Sequence, residues 1–264
     1  MTIIKAMLLG VIQGLTEFLP VSSSGHLVIA QHLLPGFSQP GVAFDVTLHL
    51  ATLLAVVIFF QREIRQLLSG VFTTAATDAD RRQRHLLLLL IIGTIPTGII
   101  GVAGKKIFIS LFENLTVVGI MLLVTAALLL LADRVRHNEK TIFQTGWPAA
   151  AVVGVVQGLA IIPGISRSGS TIAAGMLLGV RGQDAARFSF LLSIPAILGA
   201  VVLSLPDMAL VDGGSLPAYL AGGLAAFFTG LASLKMLLAV INKHQLKMFA
   251  WYCLAVGALT LICR

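Results

Sequence analysis

The sequence predicts an all-α polytopic membrane protein built as an inverted-topology repeat, with six full spans and two re-entrant helical hairpins. Three observations carry that prediction. Of 264 residues, 57% are hydrophobic and 11% charged, with a mean hydropathy of +0.98, whereas soluble domains carry about 25% charged residues. The stretch Pro163–Thr171, PGISRSGST, lies in a long apolar region yet carries an arginine, three serines and a threonine. That stretch also has an echo. Shifted by 144 residues, Gly10, Gln13, Gly14, Ser22, Ser24 and Gly25 fall on Gly154, Gln157, Gly158, Ser166, Ser168 and Gly169, and 11 of the 25 positions from 10 to 34 are identical. Apolar composition does not supply matches of Gly, Gln and Ser, so two structural repeats are expected. With no gap the register persists, Phe44 and Leu48 meeting Phe188 and Leu192. We read one membrane domain over 1–264, repeat one at about 1–132 and repeat two at about 146–264.

In chain order, residues 2–19 are apolar with Gln13 and Glu17 four apart on one helical face. Pro20 follows, then the loop VSSSGH, then a short apolar piece 27–34 ending at Pro35–Gly36. Neither piece spans comfortably, which makes a re-entrant hairpin the better reading. Full spans follow at about 41–60, 86–104 and 115–132. The basic segment 62–84 between the first two reads as an amphipathic stretch at the headgroups, with Leu67, Leu68, Val71 and Phe72 toward lipid. A second hairpin is expected at about 147–180, with spans at about 185–204, 216–237 and 247–263. Within this hairpin Pro163–Gly164 should stop the preceding helix. Ser166–Gly169 should form a loop, and Ser170 or Thr171 should cap the next helix.

The apolar start is interrupted by Gln13 and Glu17 with no cleavage-like stretch after it, so no signal peptide is expected. Cys253 and Cys263 share the last apolar segment and suggest neither a disulfide framework nor a metal spacing. The net charge of +7 does not indicate nucleic acid, because the basic residues lie between apolar spans. On this segmentation one side receives twelve Lys and Arg and the other four, which puts the first side in the cytoplasm and both termini outside. Three full spans separate the hairpins. An odd number makes the repeats inverted, and the two hairpin loops can then meet inside the bilayer. Glu17, Ser22, Ser23 and His26 would lie near Ser166, Arg167, Ser168 and Thr171.

Those residue types suit phosphate. An arginine at membrane depth costs about 2.5 kcal/mol or more on insertion scales, so Arg167 needs a polar partner or an anionic ligand. Loop N–H groups, a helix start and a guanidinium fork all favour phosphate. Arg167 could instead only neutralise Glu17. Glu17, the sole acid of the first apolar segment, is either a structural ion-pair partner or a base. Together with Gln13 it is also a candidate ligand pair for a divalent cation, Mg²⁺ or Ca²⁺. His26 suits proton transfer or nucleophilic attack. One of Ser22, Ser23 and Ser24, activated by His26, is a candidate phosphoryl acceptor. His49, Lys105, Lys106 and His137 look peripheral, and Asp45 could line an entrance.

The run Gly14–Ser23, GLTEFLPVSS, followed by Gly25–His26, together with PGISRSGST, closely resembles the undecaprenyl-diphosphate phosphatase, or bacitracin-resistance, family over essentially the whole chain. The resemblance implies a hydrolase integral to the bacterial cytoplasmic membrane. Such an enzyme removes the terminal phosphate of undecaprenyl diphosphate, leaving undecaprenyl phosphate for reuse in cell-wall synthesis. It also implies dependence on a divalent cation. Glu17 matches the second acid of the family's E/Q-x-x-x-E signature, and Gln13 holds the first position, where an amide can offer an oxygen to a metal but cannot act as acid or base. Ser23 and His26 match an essential serine and histidine. Ser166, Arg167 and Thr171 match a phosphate-binding signature, alongside which Ser22, Ser168 and Gly169 are expected to bind substrate. The expected partners are the polyprenyl diphosphate and membrane lipids, with no nucleic acid; a homodimer is compatible. The site should open to the outer side of the membrane. A rival reading, a transporter flipping polyprenyl phosphate between leaflets, follows from inverted repeats with broken helices.

Overall fold

The computed structural model describes residues 1–35, 43–73, 77–112, 114–135, 139–205, 213–241 and 245–263. Helix α1 (Ile3–Phe18) starts on Thr2, whose side chain accepts the Lys5 N–H. It ends because Pro20 forces Leu19 out of the helical region, to φ −62° and ψ 143°. Helix α2 (Ser23–Leu33) begins three residues beyond Pro20, capped by the Ser22 hydroxyl on the Gly25 N–H at 3.2 Å. The predicted loop VSSSGH is therefore shorter than expected, and His26 lies inside the first turn of α2.

Helix α3 (Ala43–Phe59) turns by 73° into α4 (Gln61–Phe72). Then come α5 (Asp78–Leu111), α6 (Leu115–Asp133) and α7 (Ile142–Leu159), the last kinked at Gly146 with φ +69°. After Pro163, Gly164 takes φ +97°, where a Cβ would also meet the Val118 carbonyl oxygen at 2.5 Å, so only glycine fits. Helix α8 (Arg167–Leu177) follows. Ser166 caps it, accepting the Gly169 N–H at 3.0 Å. This corrects the expected caps Ser170 and Thr171: the Ser166 backbone is extended and its hydroxyl reaches back first. Helices α9 (Gly182–Leu203), α10 (Leu216–Ile241) and α11 (Leu246–Ile262) complete the chain. Among the described residues there is no β-strand, only an isolated bridge between Lys140 and Val180.

Packing relies on backbone approach through glycine, as expected where apolar solvent gives helices no hydrophobic drive to associate. Helix α1 lies on α10, where a Cβ at Gly10 would sit 2.1 Å from the Gly222 carbonyl oxygen. Helix α7 lies on α5, where a Cβ at Gly154 would sit 2.0 Å from the Gly93 carbonyl oxygen. Each contact carries one buried hydroxyl on a glycine carbonyl: Ser233 on Gly14 at 2.7 Å and Thr97 on Gly154 at 2.8 Å. Burial matches at some positions of the 144-residue register and not at others, Ala55 and Val56 being buried where Gly199 and Ala200 are exposed. Phe44, Leu48, Phe188 and Leu192 are buried, while Leu54 and Leu198 are exposed.

The protein is a multi-pass membrane protein. Five described helices, α5, α6, α7, α9 and α10, are long and apolar enough to cross a bilayer, and the bent pair α3–α4 could make a sixth. Two details differ from the predicted spans. Helix α7, expected as one arm of a hairpin, meets the length criterion, while α11 has 17 residues and falls just short. The basic segment 62–84 divides between α4 and the start of α5, tied together by Arg84 Nε on the Gly70 carbonyl at 2.7 Å. Leu68 and Val71 are exposed as expected, but Leu67 is buried in the main core, because α4 leans on α5. The Phe72 side chain and His137 lie outside the described residues.

Candidate active site

Both breaks, at Pro20 and at Pro163–Gly164, are pinned by side chains from elsewhere. Ser168 Oγ donates to the Leu19 carbonyl at 3.1 Å, joining the start of α8 to the end of α1. Thr125 of α6 donates to the Gly164 carbonyl at 2.9 Å and accepts the Ser166 N–H at 3.0 Å. Ser22 is the only described residue other than glycine with positive φ, at +71°. Such a conformation costs about 1–3 kcal/mol and persists only where surrounding contacts over-determine it.

This scaffold brings Glu17 and Arg167 together, although they are 150 residues apart: Arg167 Nη2 donates to Glu17 Oε1. Ser23 Oγ donates to Glu17 Oε2 at 2.5 Å, and Gln13 Nε2 donates to the same oxygen at 2.9 Å. Glu17 is buried, and a charge removed from water costs several kcal/mol unless it is paired and hydrogen-bonded. Both its oxygens are engaged, so it stands ionised among donors. Two polar atoms of the cluster are buried without a partner: Gln13 Oε1 and Arg167 Nη1. Buried polar groups are normally satisfied, so an acceptor and a donor left open at one place favour a ligand with both negative oxygens and an electropositive companion.

The hydrogen bonds of His26 go to the Ser22 carbonyl and Tyr252 rather than to Glu17 or Ser23. His26 Nδ1 lies 2.7 Å from the Ser22 carbonyl, which can only accept. Nδ1 therefore carries the hydrogen, and Nε2 accepts from Tyr252 OH at 2.8 Å, with the two rings stacked at 5.5 Å. The partner of the Ser23 hydroxyl is Glu17 rather than His26, and the Ser22 and Ser24 hydroxyls lie 3.3 Å apart. The expected substrate-binding hydroxyls are also largely spoken for. Ser22 and Ser166 cap helices, Ser168 holds Leu19, and Thr171 bonds the Arg167 carbonyl at 2.7 Å and Ser189 Oγ at 2.6 Å. What remains at the two helix starts is the backbone N–H of Ser23, Ser24, Arg167 and Ser168, the first-turn groups that have no intrahelical acceptor.

His49 is not peripheral. Its Nδ1 lies 3.0 Å from Gln13 Nε2 and 3.4 Å from Glu17 Oε2. Asp45 accepts from Gln31 at 2.8 Å, while Lys105 and Lys106 are exposed, as expected. Sequence reasoning missed His49, Tyr252, Thr125 and Ser189. Tyr252, Thr125 and Ser189 offered no signal beyond the cost of burying a polar group, whereas His49 shares a helical face with Asp45 and Thr52 at i, i+4 and i+7. Among the described residues no three His, Cys, Asp or Glu side chains gather as a metal cluster. The donors for a cation here are Gln13 Oε1 and Glu17. They fit a hard cation that brings most of its oxygens from phosphate and water, as Mg²⁺ commonly does.

Residues 6–259 match the model of a protein family described as bacitracin resistance protein BacA. The chain is 47% identical to an undecaprenyl-diphosphatase of Syntrophotalea carbinolica, covering 98% of both chains. It is also 47% identical to that of Desulfatibacillum aliphaticivorans over 98% of each, and 42% identical to that of Methanosphaera stadtmanae over 98% of this chain and 97% of the relative.

Proposed function

The chain belongs to the BacA family of bacitracin resistance proteins, and on that premise we propose that it is an undecaprenyl-diphosphate phosphatase. It hydrolyses the terminal phosphate of undecaprenyl diphosphate, giving undecaprenyl phosphate and phosphate. The observation that carries the residue assignment is the part-buried guanidinium of Arg167, with one nitrogen on Glu17 and the other buried without a partner, beside a serine bonded to the same carboxylate.

In this reading α1–α2 and α7–α8 are hairpins of opposite sense, entering from the outer and cytoplasmic sides. Two features support it: α2 and α8 start 144 residues apart on equivalent serine caps, and the two breaks meet, Ser168 of α8 bonding the Leu19 carbonyl at the end of α1 and Gly25 of α2 packing on Gly164. The diphosphate enters from the outer side of the cytoplasmic membrane, its prenyl tail among lipids. The positive ends of α2 and α8 face it, and Arg167 Nη1 donates to a terminal phosphate oxygen. Glu17 Oε2 takes the proton of Ser23 as Ser23 Oγ attacks the terminal phosphorus. The bond from phosphorus to the bridging oxygen breaks, and undecaprenyl phosphate leaves with that electron pair. Glu17 passes that proton to solvent, takes a proton from the water that attacks the phosphoserine, and returns it to Ser23 Oγ as the bond from phosphorus to Oγ breaks and phosphate departs. His26, held by Ser22 and Tyr252, lies at the rim of the cluster as a proton carrier rather than as partner of Ser23. A divalent cation would be held by Gln13 Oε1 and Glu17 with phosphate oxygens, and supplies charge neutralisation.

The test is phosphate release from undecaprenyl diphosphate by the purified chain in detergent micelles. Micelles have no leaflets, so a flippase without hydrolase activity would release none.

A further inference from the structure

We propose that His49 is a positioning residue that turns the Gln13 carboxamide so that its oxygen, rather than its nitrogen, is presented to the electropositive partner of the substrate. This rests on the cation reading of Gln13 and Glu17 given above.

The argument starts from donor and acceptor chemistry. Gln13 Nε2 lies 2.9 Å from Glu17 Oε2. An amide oxygen there would oppose a carboxylate oxygen, so Glu17 selects the nitrogen. The same nitrogen lies 3.0 Å from His49 Nδ1. A primary amide has two N–H groups; one goes to Glu17 and the other to the ring. His49 Nδ1 is therefore the acceptor for the Gln13 amide, and its separation from Glu17 Oε2 is the longer one, at 3.4 Å. With both N–H groups committed, the carboxamide cannot flip or swing, and Oε1 is left buried with no partner.

This gives a physical reason for an amide at a place where a second carboxylate is the alternative. Two carboxylates at Nε2–Oε2 distance would need a proton or cation between them at all times. Gln13 instead bridges Glu17 and His49 and keeps one oxygen in reserve. Ligands of metals and phosphates are usually oriented by such outer partners, whose loss costs about 10- to 100-fold in affinity or activity.

The experiment measures binding of Mn²⁺ to the full chain in detergent, with methylenediphosphonate present, by electron paramagnetic resonance. The variants are His49→Ala, His49→Asn, Gln13→Ala and the double variant Gln13→Ala/His49→Ala. The His49 side chain is 32% exposed, so truncation opens an edge rather than a sealed cavity, and thermal midpoints should stay near wild type. His49→Ala should weaken Mn²⁺ binding about 10- to 100-fold. His49→Asn should recover most of it, because Oδ1 replaces Nδ1 as acceptor. In the Gln13→Ala background, His49→Ala should add nothing. Undiminished binding in His49→Ala while Gln13→Ala weakens it would overturn the positioning role and leave the cation reading standing. Binding unaffected by Gln13→Ala, or absent in wild type, would overturn the cation reading and this inference with it. An equal loss from His49→Ala in both backgrounds would mean that the histidine does not act through Gln13, which also overturns the inference.

Discussion

Replacing Arg167 by alanine separates the two uses of one guanidinium. Nη2 pairs with Glu17; Nη1 is buried without a partner, and in the proposed mechanism it meets phosphate. Breaking a buried ion pair by removing one member costs about 3–5 kcal/mol when the survivor is left uncompensated. Here Glu17 keeps hydrogen bonds from Ser23 and Gln13, so the loss should fall at or below the lower end, and the protein should still fold in detergent. The catalytic loss should be larger. An arginine on a transferring phosphoryl group contributes about 10³–10⁵ in rate, equivalent to about 4–7 kcal/mol of transition-state stabilisation. Arg167→Lys separates the uses further, because one ammonium lacks the fork needed to hold Glu17 and a phosphate oxygen together. It should retain most of the stability and little of the rate. The assay pairs phosphate release from undecaprenyl diphosphate in micelles with a thermal midpoint for each variant. Turnover of folded Arg167→Ala within tenfold of wild type would refute the assignment of Nη1 to phosphate.

Further outcomes follow from the same geometry. Ser23→Ala should abolish hydrolysis, and a phosphoserine trapped by acid quench and located by mass spectrometry at Ser23 in the wild type would identify the acceptor; label at another residue would move it. Tyr252→Phe removes one hydrogen bond from His26 while keeping the stacked ring, so kcat should fall by about two- to tenfold, without a change in thermal midpoint. Gly14→Ala would place a Cβ 2.0 Å from Thr229 Oγ1 and 2.4 Å from the Ala226 carbonyl oxygen, forcing α1 off α10. Overpacking of this kind costs about 1–3 kcal/mol, visible as a lowered midpoint; an unchanged midpoint would show that the helix pair can part freely.

The sequence by itself determined most of the helical layout. Hydropathy marked the membrane helices, and the prolines after Leu19 and Ile162 marked the two breaks, because a residue preceding proline is disfavoured in the helical region, although Pro96, Pro148 and Pro195 lie inside helices. It also determined that Arg167 must meet a counter-charge or an anion, since burying a lone guanidinium is too costly; Glu17 was the acid available on the echoing segment. Only the tertiary structure decided which hydroxyl meets that carboxylate. Helical geometry around the strained Ser22 turns Ser23 toward Glu17 and His26 toward Tyr252, 226 residues away. It also decided the place of His49. Asp45, His49 and Thr52 share one helical face, but a polar face does not say which neighbour will satisfy it. That depends on the rotation of α3 against α1, which the packing of both helices on α10 sets.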